Sequence, residues 1–270
     1  YAFTGLERYD AEGYAYTYEV TEAPVEGYTT VRTATQNGYD FTNTIQQEKR
    51  TVTGEKIWTD GAENHTADQI ALTLYRQSNS GEWAKVEAEP DWKDWTYTFA
   101  DLDRYDANGY EYAYRVEEST VLTGYAATYA PENGVAVFEN NAATVNVTNT
   151  PQTERIAVWK RWSDQKIVDD QPVDNFYGLR PDDLTVTLTS QPNPNHPDGK
   201  SYTYTVSGET WDKSLPMGMW RANGNDGLEV RTHDEFGDPI TYVATEPDVP
   251  YYSMVSGSRV EIPPAAPDHE

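Results

Sequence analysis

An all-β protein of tandem immunoglobulin-like β-sandwich modules is what the sequence predicts, on three observations. Runs rich in Val, Thr and Tyr alternate apolar and polar residues with a period of two, the pattern of half-buried strands. Turn clusters such as DAEG, DANG and SNSG separate them, and no long helical pattern competes. The chain also repeats itself. YAFTGLERYDAEGYAYTYEVTE (1–22) matches YTFADLDRYDANGYEYAYRVEE (97–118) at a constant offset of 96, and VTGEKIWTD (52–60) is echoed by IAVWKRWSD (156–164) at an offset of 104. Short strands at this spacing suit sandwiches in which alternate side chains enter a core between two sheets.

The offsets divide the chain. Residues 1–47 read as the C-terminal half of a module, because Tyr1 corresponds to Tyr97. Residues 48–151 make a complete module. A third module, 152–262, carries a Gly, Asn and Asp-rich insertion at about 191–238 and lacks its last strand, and 263–270 form a Pro-rich tail. The chain opens on Tyr1 without a leader pattern and reads as a segment of something longer.

Composition narrows the function classes. Of 270 residues, 45 are Asp or Glu and 20 are Lys or Arg, a formal net charge of -25. Such a surface repels nucleic acid and anionic membranes, which both select clustered cations. Cysteine is absent, so no disulfide framework and no Cys-based zinc site exists. No apolar run approaches the roughly 20 residues of a membrane-spanning helix. Neither a metal nor a cofactor is expected: DLDRYDANG lacks the alternate spacing of a calcium loop and reads as a turn.

Three polar residues stand on strand faces that should be inward. In VTGEKIW, Val52, Gly54, Lys56 and Trp58 point one way; in YEYAYRVEE, Tyr112, Tyr114, Val116 and Glu118 do; in ATVNVTNT, Val145, Val147 and Asn149 do. The placements recur. Ile156, Val158, Lys160 and Trp162 share a face, as do Ile240, Tyr242, Ala244 and Glu246, and Tyr39, Phe41 and Asn43, with Glu22 matching Glu118 by the repeat. Strand-end residues whose tips escape to solvent would explain any one of these alone. A Lys, a Glu and an Asn that are each inward and each repeated point instead to chemistry. Burial disfavours the charged forms of Lys and Glu. A neutral amine that meets the Asn carboxamide, with a protonated Glu polarising its carbonyl and shuttling protons, gives a Lys–Asn isopeptide bond and ammonia.

The ordered motifs EKIWTD, DLDRYDANGYEYAYRVEE, TGY and VTNT over about 100 residues resemble the Cna B-type (CnaB) repeat of Gram-positive surface proteins. The resemblance implies an intramolecular isopeptide bond between Lys56 and Asn149, assisted by Glu118. It further implies a structural stalk segment of an extracellular, cell-wall-attached adhesin or pilus-like fibre, whose partners are neighbouring modules of the same chain. The copies differ: Glu22 and Asn43 have no lysine strand, and Lys160 and Glu246 are followed by no Asn. Lys160 is therefore expected to stay an unmodified amine beside an open edge. Asp268 is a substitute acceptor in type, but PPAAPDHE is too proline-rich for a central strand.

Two other function classes compete with this reading. A glycan- or protein-binding module would use exposed aromatics among the 8 Trp and 21 Tyr, either Trp92 with Trp95 or, better, Trp211 and Trp220 in the third module's insertion. An enzyme with turnover is disfavoured. The four His residues form no HExxH, and no nucleophile elbow or phosphate loop occurs, leaving single-turnover isopeptide formation as the only reaction expected.

Overall fold

The computed structural model describes residues 1–25, 27–46, 48–223 and 226–254, and the backbone of 259–261. No helix among the described residues is long and apolar enough to cross a membrane. Asp268 and the tail at 263–270 lie outside the described residues.

Between Lys49 and Pro151 the period-two segments become two facing sheets. One runs in the order Asp91–Lys93, Thr96–Asp103, Lys49–Trp58, Asn146–Pro151, Tyr125–Ala130, with the short Ala142–Thr144 also paired to Lys49–Trp58. The other runs Ala84–Lys85, Ala71–Ser78, Tyr112–Thr120. The first and last long strands of this unit lie side by side and parallel, with Val147 opposite Lys56 and Asn149 opposite Trp58. Val52, Leu74, Tyr97, Phe99, Tyr114, Val116, Val145 and Val147 fill the space between the sheets and are at most 1% exposed. The alternation expected of Lys49–Trp58 is complete, every second residue from Arg50 to Trp58 being buried.

The third unit is a smaller sandwich. Thr203–Val206, Val186–Ser190, Thr241–Thr245 and Arg259–Glu261 form one sheet, and Trp159–Arg161, Met219–Ala222 and Trp211–Asp212 the other. A hairpin, Lys166–Val168 with Gln171–Val173, and a long-range antiparallel pair, Thr153–Ile156 with Leu228–Arg231, stand beside them. Trp211 and Trp220, expected as a grafted binding surface, are instead core residues, 4% and 6% exposed. They pack with Trp162, Leu188 and Tyr242, because the strands that carry them close the sandwich. Composition alone could not distinguish an exposed Trp from one that fills a core. Trp92 and Trp95 are half-buried.

Residues 1–46 behave differently. Tyr28–Thr35 and Gly38–Ile45 make a hairpin with Thr30 opposite Asn43, but no facing sheet covers it among the described residues. Tyr39 and Phe41 are only half-buried and Asn43 is exposed, so the face expected to be inward is open here. The DAEG and DANG segments are turns as anticipated, closed by the aspartate itself: Asp106 Oδ1 accepts from the backbone N–H of Asn108 and Tyr110 at 2.8 and 2.9 Å. Asp10 does the same with Glu12 and Tyr14, and Asp234 with Phe236 and Asp238. These carboxylates are spent on the backbone.

Gly54 permits the close approach of the strands around the centre of the complete sandwich. A Cβ there would fall 1.8 Å from the carbonyl oxygen of Val145 and 2.6 Å from the Tyr97 hydroxyl, which donates to that same carbonyl. Backbone cannot yield as a side-chain tip does. Gly54→Ala is expected to destabilise the module by about 1–3 kcal/mol through overpacking, read as a lower urea midpoint at unchanged slope; a midpoint equal to the parent's would show that the strands part freely.

Candidate functional site

Alternation delivers Lys56 to the interior, and the parallel partner strand delivers Asn149 one same-face step along from Val147, its direct neighbour. Glu118 arrives from the opposite sheet, on Tyr112–Thr120, where it is paired across to Leu72. The three side chains meet in the core, at relative exposures of 1% for Lys56, 4% for Glu118 and 0% for Asn149.

One carboxylate joins the other two groups. Lys56 Nζ donates to Glu118 Oε2 at 3.1 Å, and Asn149 Nδ2 donates to Glu118 Oε1 at 3.0 Å. The backbone N–H of Glu118 donates to the Tyr129 hydroxyl at 3.0 Å, which ties the glutamate strand to the strand beside Asn149. The Lys56 ammonium sits 4.5 Å from the centre of the Trp58 ring, an electrostatically favourable face for a cation. Burial nevertheless dominates, and lowers the Lys56 pKa to about 8 against the attraction and hydrogen bond of Glu118.

Asn149 Oδ1 is buried and has no hydrogen-bond partner. An orphaned buried carbonyl costs on the order of 1–3 kcal/mol, and a buried ion pair also carries a heavy desolvation cost. Passing one proton from Lys56 to Glu118 removes both charges and leaves a nucleophilic amine beside a carboxylic acid. A half-turn of the carboxamide about Cβ–Cγ then presents Oδ1, in place of Nδ2, to that acid. The arrangement thus brings a nucleophile, an electrophile and a proton carrier together in the core.

The related positions are less complete. In residues 1–46, Asn43 Nδ2 donates to Glu22 Oε1 at 3.0 Å and Thr30 Oγ1 donates to Asn43 Oδ1 at 2.5 Å, but Asn43 and Glu22 are both exposed. In the third unit Lys160 Nζ donates to both oxygens of Glu246 at 2.7 Å, over the Trp162 ring at 4.5 Å. Their side chains retain 16% and 14% exposure, and no described residue stands where Asn149 stands in the complete unit. Tyr129 escaped the reading of the sequence. Period two places it on the face of Tyr125, yet no local signal identifies the backbone group it meets across the sandwich.

A search of curated proteins finds no match. Among solved structures, the chain is similar to two B repeat units (B1B2) of the collagen-binding protein of Staphylococcus aureus. The identity is 26% and the TM-score 0.34, over 92% of this chain and 56% of that one. The pilus adhesin SpaC of Lactobacillus rhamnosus GG is 15% identical at a TM-score of 0.34, over 82% of this chain and 23% of that one. The major pilin subunit BcpA of Bacillus cereus is 10% identical at a TM-score of 0.24, over 74% and 64%. The chain therefore spans about half of the first of these structures and a quarter of the second, and scores this low carry no argument about arrangement or activity. The sequence match is the stronger finding: the profile of the Cna protein B-type domain matches residues 1–44 and 52–150. With more than half of its residues matched, this chain belongs to the Cna protein B-type domain family.

Proposed function

We propose that this chain is a stalk segment of a bacterial surface adhesin or pilus-like fibre, built of three consecutive modules divided near 47 and 151, and braced in its complete module by an autocatalytic isopeptide bond. The observation that carries this reading is the buried trio of Lys56, Glu118 and Asn149 with its unpartnered carbonyl. The neutral Lys56 amine attacks Cγ of Asn149 while Glu118 donates a proton to Oδ1. Glu118 then takes the proton the attacking nitrogen sheds and passes it to the departing nitrogen, and Oδ1 returns its proton to Glu118 as the carbonyl re-forms. Amine plus carboxamide becomes a secondary amide plus ammonia, with no oxidant or cofactor in the balance. Both buried charges disappear in the product.

The bond's position suits a structure under tension. The joined strands are parallel neighbours and are the first and last long strands of the module, so pulling the two chain ends shears that pair along its length. A covalent bridge there closes a loop of roughly 90 residues, worth about 4–5 kcal/mol if the chain-entropy account of disulfides transfers. Force would then pass through bonds and leave the sandwich folded. Family membership supports an extracellular, cell-wall-attached setting. An exposed binding surface built on Trp211 and Trp220 has lost its basis, since both are buried.

Intact-mass measurement tests the bond. The folded chain is expected to be lighter than its sequence mass by one ammonia, peptide mapping to yield a branched Lys56–Asn149 species, and Glu118→Ala to restore full mass. A wild type at full mass would defeat the reading, as would a Glu118→Ala chain that still loses ammonia.

The pH dependence follows from proton counting. The reactive pair, neutral amine with carboxylic acid, holds the same single proton as the ion pair, so its population relative to the ion pair does not change with pH. Lys56 is lowered to about 8, and above that the pair loses this proton. Bond formation in freshly synthesised chain, followed by mass spectrometry, is therefore expected to fall about tenfold per pH unit above that point. A rate that keeps climbing with pH would mean that the free amine suffices and that Glu118 is no acid.

A further inference from the structure

The end of the complete module holds a second buried cluster, separate from the cross-linking trio. Asp60 follows the lysine strand, and its carboxylate accepts from the Tyr125 hydroxyl at 2.7 Å through Oδ2 and lies 3.1 Å from His65 Nε2 through Oδ1. His65 is stacked on the outer face of Trp58 at 3.7 Å. Into this cluster comes a side chain from the next module. Arg231 Nη1 donates to Asp60 Oδ2 at 2.7 Å, Nη2 donates to the Tyr125 hydroxyl, and Nε donates to the carbonyl of His233 at 2.5 Å. Its side chain is only 7% exposed. Burial raises the Asp60 pKa, but the hydrogen bonds from His65, Arg231 and Tyr125 outweigh it and hold the group well below the usual carboxylate range.

Backbone contacts surround the arginine. Gln69 Nε2 donates to the carbonyl of Glu235 at 2.9 Å, and the N–H of Thr232 donates to the carbonyl of Gln152 at 3.2 Å. Gly124 lies so close to His233 that a Cβ would fall 2.3 Å from the histidine Cβ. The junction is packed as a module interior is packed, and is no loose linker.

We propose that Asp60, Tyr125 and His65 form an arginine socket that accepts Arg231 and holds the second and third modules in one orientation, and that the residue at this position decides which module can follow which. Two comparisons within the chain carry the selectivity. Arg231 is the structural counterpart of Asp103, since the Tyr242 hydroxyl donates to the carbonyl of Arg231 just as the Tyr114 hydroxyl donates to that of Asp103. A second copy of the complete module would thus offer an aspartate to Asp60, two like charges in a partly desolvated site, which is a built-in bar to that pairing. The third module has the same acidic position and tyrosine, for the Tyr252 hydroxyl donates to Asp164 Oδ2 at 2.6 Å. There the arginine is its own: Arg180 Nε donates to Asp164 Oδ2 at 2.7 Å with a side chain 7% exposed. The Asp–Tyr pair takes a guanidinium in both modules, once from the neighbour and once from within, so the third module's socket is already filled.

The joint does not depend on the Lys56–Asn149 bond, and its test is separate from the test of that bond. Because the chain has no cysteine, the substitutions Glu87→Cys and Glu209→Cys at two exposed sites label one module each for pulsed electron-spin distance measurement on the full chain. A single narrow distance distribution is expected. Arg231→Ala and the near-isosteric Asp60→Asn should each broaden it about twofold or more, since modules without a firm interface move independently by default. Asp164→Asn, which removes the equivalent carboxylate at the far end of the third module, should leave it unchanged. Intact mass and circular dichroism confirm that each variant is folded. A parent distribution as broad as the variants', or one that neither Arg231→Ala nor Asp60→Asn alters, would overturn the proposal.

Discussion

The complete module is organised around a carboxylate placed where carboxylates are costly. Glu118 comes from one sheet and holds, on its two oxygens, an ammonium and a carboxamide from the other. Taking these groups out of water is offset only if each finds a partner, and the geometry leaves Asn149 Oδ1 without one. Much of the surrounding structure serves this meeting. Gly54 allows the lysine strand to approach the backbone at Val145, the parallel register sets Asn149 beside Trp58, and Tyr129 anchors the backbone of the glutamate. An ordinary apolar core would not need this precision of register. The proposed Lys56–Asn149 bond would.

The three copies isolate what burial contributes. Glu22 with Asn43 reproduces the carboxylate–carboxamide hydrogen bond at the same 3.0 Å seen for Glu118 with Asn149. That pair is exposed to water and has no lysine beside it among the described residues. Lys160 with Glu246 reproduces the amine–carboxylate contact over a tryptophan, at a shorter 2.7 Å than the 3.1 Å of Lys56 with Glu118. That contact is partly exposed, and the lysine is bonded to both carboxylate oxygens. Only around Lys56, Glu118 and Asn149 do the sheets close over all three groups, the low-dielectric setting that the proposed bond requires.

A chain of several modules is only as stiff as its joints, and the junction beyond Pro151 is built on a satisfied buried charge. Trp58 connects the two sites physically, with the Lys56 ammonium 4.5 Å from its ring centre and the His65 ring stacked 3.7 Å away. The strand that carries Lys56 therefore leads directly into the Arg231 contact. The proposed bond and the proposed joint would lie on adjoining side chains.

From the sequence alone came the all-β class, the repeat, and the three inward faces, because strand period and turn chemistry are local and Lys56, Glu118 and Asn149 break an otherwise apolar alternation. Local pattern also marked Glu22, Asn43, Lys160 and Glu246 as their counterparts. It could not say which of these faces is covered, since that depends on a second sheet supplied by distant residues: Asn43 is exposed while Asn149 is not. For the same reason Trp211 and Trp220 read as a surface and proved to be core. Tyr129 and the Asp60–Tyr125–Arg231 cluster were invisible as well, being joined across 11, 65, 106 and 171 positions of chain. Periodicity tells a residue which way to face, whereas only tertiary packing decides what it faces and whether water is excluded, and it is the exclusion of water that sets the chemistry here.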